Sequence, residues 1–204
     1  MGRTERNEMI ITVFDTETTG FPSKGETSIE EQPYVVQLAA TQFYDRRPVA
    51  HLSAIFDYGI IIPDKPASIH GITTEIAAEI GVDPLNTLKQ FQDMVLYSDR
   101  LVAHNAGFDS RLLEITCERH DLQELDSLMK GTETICTMMS SMDVCAIPNR
   151  WGNNKWPNLQ EAHMFFTGES FEGAHDAMVD TVACARVYFG LIDGNHDLRG
   201  GLKR

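Results

Sequence analysis

Ile10-Ile11-Thr12-Val13-Phe14-Asp15-Thr16-Glu17-Thr18-Thr19-Gly20 is a β-rich apolar run with two carboxylates at its far end, broken by Thr-Thr-Gly. Side chains two apart on a strand share a face, so Asp15 and Glu17 project together, roughly 6–7 Å apart at Cα. Two acids on one face at the end of a buried strand repel each other and lose hydration. A bound cation relieves both costs. A solvated strand end running into a turn is the competing reading, and the stretch alone does not separate the two.

The rest of the chain bounds the answer. Its 204 residues suffice for one well-buried domain. No apolar stretch is long enough for a membrane span, since Ile60-Ile61-Ile62 meets Pro63 and Asp64. The start, Met1 to Glu8, is polar, lacks the apolar centre of a secretory signal, and has Arg6 where a myristoylation signal needs Ser or Thr. The expected location is cytoplasmic. Cys117, Cys136, Cys145 and Cys184 form no C-x-x-C pair, which fits four reduced thiols, with one disulfide as the alternative. The net charge of −13 excludes binding a polyanion by bulk attraction. Such a protein avoids nucleic acid, or grips it locally through metal ions and a few cations.

Read in order, the pattern predicts strands at Ile10–Phe14 and Tyr34–Phe43, with a third run from Ala50–Phe56 and Gly59–Ile62. Phe21–Pro33 is a polar loop. A short helical turn is expected at Ile72–Ala77. Asp83-Pro84 reads as N-cap and N1 of a helix with Leu85, Leu88, Phe91 and Met94-Val95 inward. Leu101–Ala103 is a short buried strand, and a helix follows Asn105–Asp109. Thr134–Met139 fits a strand or a helix start. Asn158 caps a helix through Phe166, Ala174–Ile192 is a last apolar helix, and Asp193–Arg204 is a frayed tail. Strands first, then strands alternating with helices, give one α/β domain over 1–204, with a core of about 9–192.

Asp109 falls in the first turn of a helix, Asp180 lies one turn into the last, and His175 stands five residues before it. Joined to Asp15 and Glu17, they can meet at one point. Four carboxylates without a thiolate select hard cations, Mg²⁺ or Mn²⁺. Two such ions can hold an attacking water and a leaving oxygen about a phosphorus, with a neutral His taking the proton. Singly, each residue has a plainer role: Asp109 as a helix cap, Asp180 on a surface, His175 as a cap or a core histidine.

Phe14-Asp15-Thr16-Glu17-Thr18-Thr19-Gly20, His104-Asn105-Ala106-Gly107-Phe108-Asp109 and His175-Asp176-Ala177-Met178-Val179-Asp180 resemble, in order, the three motifs of the DnaQ-like (DEDDh) 3′→5′ exonucleases. Ile69-His70-Gly71-Ile72-Thr73 resembles a segment common between the first two. The resemblance implies a ribonuclease-H-like fold, a mixed five-stranded sheet flanked by helices. It implies two divalent cations, one held by Asp15, Glu17 and Asp180, the other by Asp15 and Asp109, with His175 as general base. A sister group has Tyr four residues before its last Asp; here that position is Asp176, which favours the His type. It further implies that Thr18, His70, Asn105 and Phe108 receive the 3′-terminal nucleotide.

The expected activity is removal of nucleoside 5′-monophosphates from single-stranded 3′ ends, DNA favoured. An RNA-directed, oligoribonuclease-like enzyme and a polymerase proofreading subunit are the alternatives within the class. A non-cleaving nuclease-like scaffold is the alternative outside it. A homodimer or a replication partner is open. Arg150, Trp151, Lys155 and Trp156 pair charge with aromatic faces, suited either to a single strand or to pinning their loop. Asp121, Asp126, Asp143 and Asp176 are read as solvated, and His120 and His163 as chemically idle on amphipathic helices.

Overall fold

The computed structural model describes residues 9–200 apart from Lys24 and Glu26, so the readings made on Met1–Glu8 and on 201–204 lie outside the described residues. Three antiparallel-linked strands come first: β1 (Ile10–Thr18), β2 (Val35–Tyr44) and β3 (Arg47–Ile55). Two short parallel strands, β4 (Arg100–Ala103) and β5 (Glu133–Cys136), join the other side of β1, giving the order β3-β2-β1-β4-β5. β1 is thus the central strand, antiparallel to one neighbour and parallel to the other.

The helices are α1 (Asp64–His70), α2 (Thr74–Ile80), α3 (Pro84–Leu96), α4 (Ala106–Arg119), α5 (Gln123–Gly131), α6 (Thr137–Cys145), α7 (Leu159–Thr167) and α8 (Ala177–Asp193). Alternation along β1 sorts them into two layers. Phe14 points to a core built with Leu88 and Phe91 of α3, Leu112 and Leu113 of α4, and Leu125 of α5. Ile11 and Val13 point to the opposite face, against Cys184, Ala185 and Tyr188 of α8. By the same parity Asp15 and Glu17 project to the α8 side, and Thr16 to the α4 side.

Local chemistry explains the boundaries. Asp83 accepts the Leu85 N–H and Pro84 takes the first helical position of α3, as its sequence predicts. Asn158 and Glu161 form a reciprocal capping box on α7. Thr134–Met139 resolves into both options, strand to Cys136 and helix from Thr137.

Four readings are corrected. Gly59–Ile62 joins no strand: Gly59 turns at φ +65°, and Phe56 bridges Val82 instead. The short helical turn expected at Ile72–Ala77 is α2, which starts at Thr74 and runs on to Ile80, while α1 before it was not anticipated and ends where Gly71 adopts φ +76°. α5 was not anticipated; its inward residues Leu125 and Met129 give too short a stripe to stand out. Residues 196–200 do not fray. Leu198 packs into the α7–α8 core, Arg199 exchanges bonds with Cys136 and Ser140, and Gly200 bridges Ile135. The four cysteines are free thiols. Among the described residues no helix is long and apolar enough to cross a membrane.

Candidate active site

The acidic end of β1 lies where three helix or strand ends converge. β1 departs from regular pairing there, with a register shift between Glu17 and Thr18 against Gln37 and Val35. Such bulges re-aim side chains next to functional sites. Thr18, itself buried, spends its hydroxyl on the turn, donating to the Gly20 carbonyl at 2.9 Å.

Asp109 comes from the first turn of α4 and is 2% exposed. One of its oxygens accepts both the Thr16 N–H at 3.1 Å and the Thr16 hydroxyl at 2.7 Å. The turn before α4 depends on Asn105, which sits at φ +70° and ψ +41°, a left-handed conformation Asn tolerates better than most residues. His104, just upstream, is fixed on both nitrogens. The Pro157 carbonyl can only accept, so Nε2–H donates to it at 3.1 Å and Nδ1 accepts from Thr137 at 2.9 Å. Burial lowers the His104 pKa to about 4, keeping the ring neutral.

His175 and Asp180 come from the start of α8. The helix begins at Ala177, three residues later than the sequence implies, so His175 lies in the preceding turn at φ +70°. Its backbone N–H donates to one Asp180 oxygen at 3.0 Å. Asp176 is the α8 N-cap, accepting from Met178 and Val179 N–H, so it is more than a solvated acid. Gln37 of β2 accepts the Ala177 N–H and fixes the helix start to the sheet. The loop before His175 is held by α7: the Gln160 amide donates to the Phe171 carbonyl at 2.7 Å, and His163 Nδ1 meets the Glu169 carbonyl at 2.9 Å. His163 lies on the buried face of α7.

These acids face one another with little compensating charge. Burial, then the Asp109, Asp180 and Glu17 carboxylates, hold the Asp15 pKa well above the usual range. Burial, then Asp180 and Asp109, push Glu17 to about 8. Asp109 is raised by burial and pulled back by the two Thr16 bonds. Asp180 is raised by burial and lowered by the His175 N–H and ring.

Glu17, His175 and Asp180 each bring a ligand atom within 4.8 Å of the others. Asp15 and Asp109 interact with this triad electrostatically but stand outside its compact grouping. The remaining Asp180 oxygen is buried without a hydrogen-bond partner. An orphaned anionic oxygen in a cluster of oxygen donors fits a hard divalent cation.

Around the acids, His70 ends α1, and its Nδ1 accepts the Ile72 N–H at 3.1 Å. Nε2 therefore carries the proton, and it is buried facing the Thr18 backbone. Burial lowers the His70 pKa against a hydrogen bond to the Thr18 backbone that raises it, and the nearby His175 adds to the lowering. Phe108 is partly buried against the α3–α4 core, with its ring 5.5 Å from Phe21. Phe21, 83% exposed beside the strand end, is a residue sequence reasoning missed because it lies in a polar loop. Thr16 was missed because its partner Asp109 lies 93 positions away, and Gln160 because nothing in the sequence marks its bond into the loop that follows α7.

Residues 12–188 match the family model RNase_T, described as exonuclease. A DNA polymerase III PolC-type of Streptococcus pyogenes serotype M1 is 33% identical over 120 residues, 58% of this chain but 8% of that protein. The chain thus spans less than a tenth of the length of the curated relatives it matches. E. coli Exonuclease I in complex with a dT13 oligonucleotide superposes with TM-score 0.71 at 16% identity, covering 91% of this chain and 41% of that one. The nuclease domain of 3′hExo, a DEDDh family member bound to rAMP, also gives 0.71 at 16% identity, covering 98% and 100%. The chain belongs to the RNase T exonuclease family, the DnaQ-like group its three motifs resemble, on a ribonuclease-H-like fold.

Proposed function

We propose that the chain is a metal-dependent 3′→5′ exonuclease of the DEDDh type, one domain acting on single-stranded ends and releasing nucleoside 5′-monophosphates. The observation that carries this is the convergence of Asp15, Glu17, Asp109 and Asp180 with His175, leaving one buried Asp180 oxygen unpartnered. Asp15, Glu17 and Asp180 would hold one Mg²⁺ or Mn²⁺, and Asp15 with Asp109 a second. When bound, these ions supply Lewis-acid charge at the scissile phosphate.

The protein's own groups do the rest. A ring nitrogen of His175 takes the proton of the attacking water, and its placement is set by the turn locked to Asp180 and to α7. The buried Nε2–H of His70 faces the Thr18 backbone, at the turn that would receive the terminal nucleotide. Thr18 shapes the turn under that nucleotide, Asn105 sets the backbone of the α4 start, and Phe108 with Phe21 offers apolar rings to its base.

Single-stranded DNA is favoured over RNA by the similarity to a DNA polymerase, which also supports a replication partner as a second reading. Free thiols fit a cytoplasmic protein. The test is 5′-labelled DNA and RNA oligomers with Mg²⁺, Mn²⁺ or EDTA. A ladder shortening from the 3′ end, lost with EDTA and with Asp15→Ala, is expected. Cutting that survives both controls would overturn the mechanism.

A further inference from the structure

The loop between α6 and α7 takes no part in the acidic cluster, yet it is a built feature. Asn149 Oδ1 accepts the N–H groups of Trp151 and Asn153 at 2.9 and 3.2 Å, and Pro148 bridges Asn154. Asn154 donates to Asp143, which Arg199 also holds. The far end of the loop is tied to the active-site segment, where the Pro157 carbonyl meets His104. On this framework Trp151 is 70% exposed and Trp156 53%. Those exposures rule against tryptophans that pin the loop to the body. The two flank a cavity of about 640 Å³ whose other walls include Met139, Met142 and Lys155. The Arg150 guanidinium lies 3.8 Å from the Trp151 ring centre.

Exposed rings on a stiff frame are expensive to leave in water unless something covers them. The net charge of −13 means that the occupant, if a polyanion, must be gripped by contacts that do not depend on bulk attraction. Base stacking on aromatic faces is such a contact, and an arginine held on a ring adds one phosphate-directed charge. We propose that Trp151 and Trp156, with Arg150, form a stacking platform for unpaired bases of the strand whose 3′ end occupies the active site. The loop is tied through Pro157 to His104, in the segment that leads into Asp109. The proposal rests on the exonuclease reading, and the shared chemistry is the unstacked base of single-stranded DNA or RNA.

The experiment compares wild type, Trp151→Ala, Trp156→Ala, the double variant and the matching Phe variants. Substrates are p-nitrophenyl thymidine 5′-monophosphate, 20-mer oligothymidylate and 20-mer oligouridylate. For the 20-mers KM rises roughly 5- to 50-fold in the Ala variants, the range expected for losing one stacked base. Turnover on the mononucleotide ester is unchanged, and the Phe variants recover most of the loss. Equal effects on both 20-mers assign the platform to any single strand; an effect on one alone assigns it to that nucleic acid. An unchanged KM on both 20-mers, or an equal loss on the ester, overturns the proposal.

Binding is read separately through the fluorescence anisotropy of 5′-fluorescein-labelled oligothymidylate and oligouridylate in EDTA, in the Asp15→Asn background, because Trp151 and Trp156 are the only tryptophans of the chain. If no protein cuts any substrate but binding of the labelled strands is weakened in the Ala variants, the exonuclease reading fails and the platform stands. If cutting proceeds and the Ala variants bind both strands as wild type does, the platform fails alone.

Discussion

Thr16 holds Asp109 with two donors at once, its N–H and its hydroxyl converging on the same carboxylate oxygen at 3.1 and 2.7 Å. One residue of the central strand thereby fixes an acid from the facing helix, while its neighbours Asp15 and Glu17 face the other way. Thr16→Val keeps the shape and the backbone bond but removes the hydroxyl. Loss of a hydrogen bond to a buried carboxylate should cost about 1–3 kcal/mol of stability in urea titration. Since that bond lowers the Asp109 pKa, the acid limb of the pH–rate profile should move to higher pH.

Metal-free protein should lose stability as pH rises. Glu17 titrates at about 8 in the fold against an ordinary 4.5, so the folded state holds its proton longer than the unfolded one. That contribution is fully present below the unfolded value and is lost as pH climbs from about 4.5 to about 8. In EDTA the melting temperature should therefore fall across that window, and Mg²⁺ or Mn²⁺ should reverse the fall. Asp15→Asn should raise the metal-free melting temperature by roughly 2–8 °C at pH 8, for a relief on the order of 1–2 kcal/mol. A flat calorimetric profile with pH would contradict the electrostatic account.

Replacing His175 separates its ring from its backbone. Ala and Gly variants should both lose roughly 10²–10⁴-fold in turnover while binding Mn²⁺ close to normally, as general-base loss requires. His175 sits at φ +70°, so the Gly variant should be more stable than the Ala variant by about 1 kcal/mol. Calorimetry of the pair checks the backbone part, and single-turnover rates check the ring.

Gln160 is a positioning residue. Its amide clasps Phe171, four residues before His175. Gln160→Ala should lower kcat by roughly 3- to 30-fold through misplacement of the base, with KM for a mononucleotide ester almost unchanged. Gln160→Glu, which keeps an acceptor but loses the donor to the Phe171 carbonyl, should behave like the Ala variant.

The sequence shows the fold where a local signal is strong. β1, the Asp83-Pro84 start of α3, the Asn158 cap and the three motif blocks all carry their information within a few residues. Gly59–Ile62 misled because an apolar run beside a strand looks like its continuation, and only the Phe56–Val82 bridge shows the chain leaving the sheet. The acids of the site were legible as residue types, because Asp109 and Asp180 sit at helix starts that the pattern locates. Their support was not. Thr16 to Asp109 spans 93 positions and Gln37 to Ala177 spans 140, distances over which a single sequence carries no readable signal.

Arg199 and Gly200 lie along β5, and their bonds to Cys136, Ser140 and Ile135 act on the outer margin of the sheet. An open strand margin is a template for pairing with another chain. At the opposite margin, β3 carries Arg47 and Pro48, the latter a residue with no N–H to offer. One side of the sheet is therefore shielded by the chain itself and the other blunted by its composition. A protein so guarded against lateral strand addition should remain soluble at concentrations where a variant lacking the Arg199–Gly200 cover begins to self-associate.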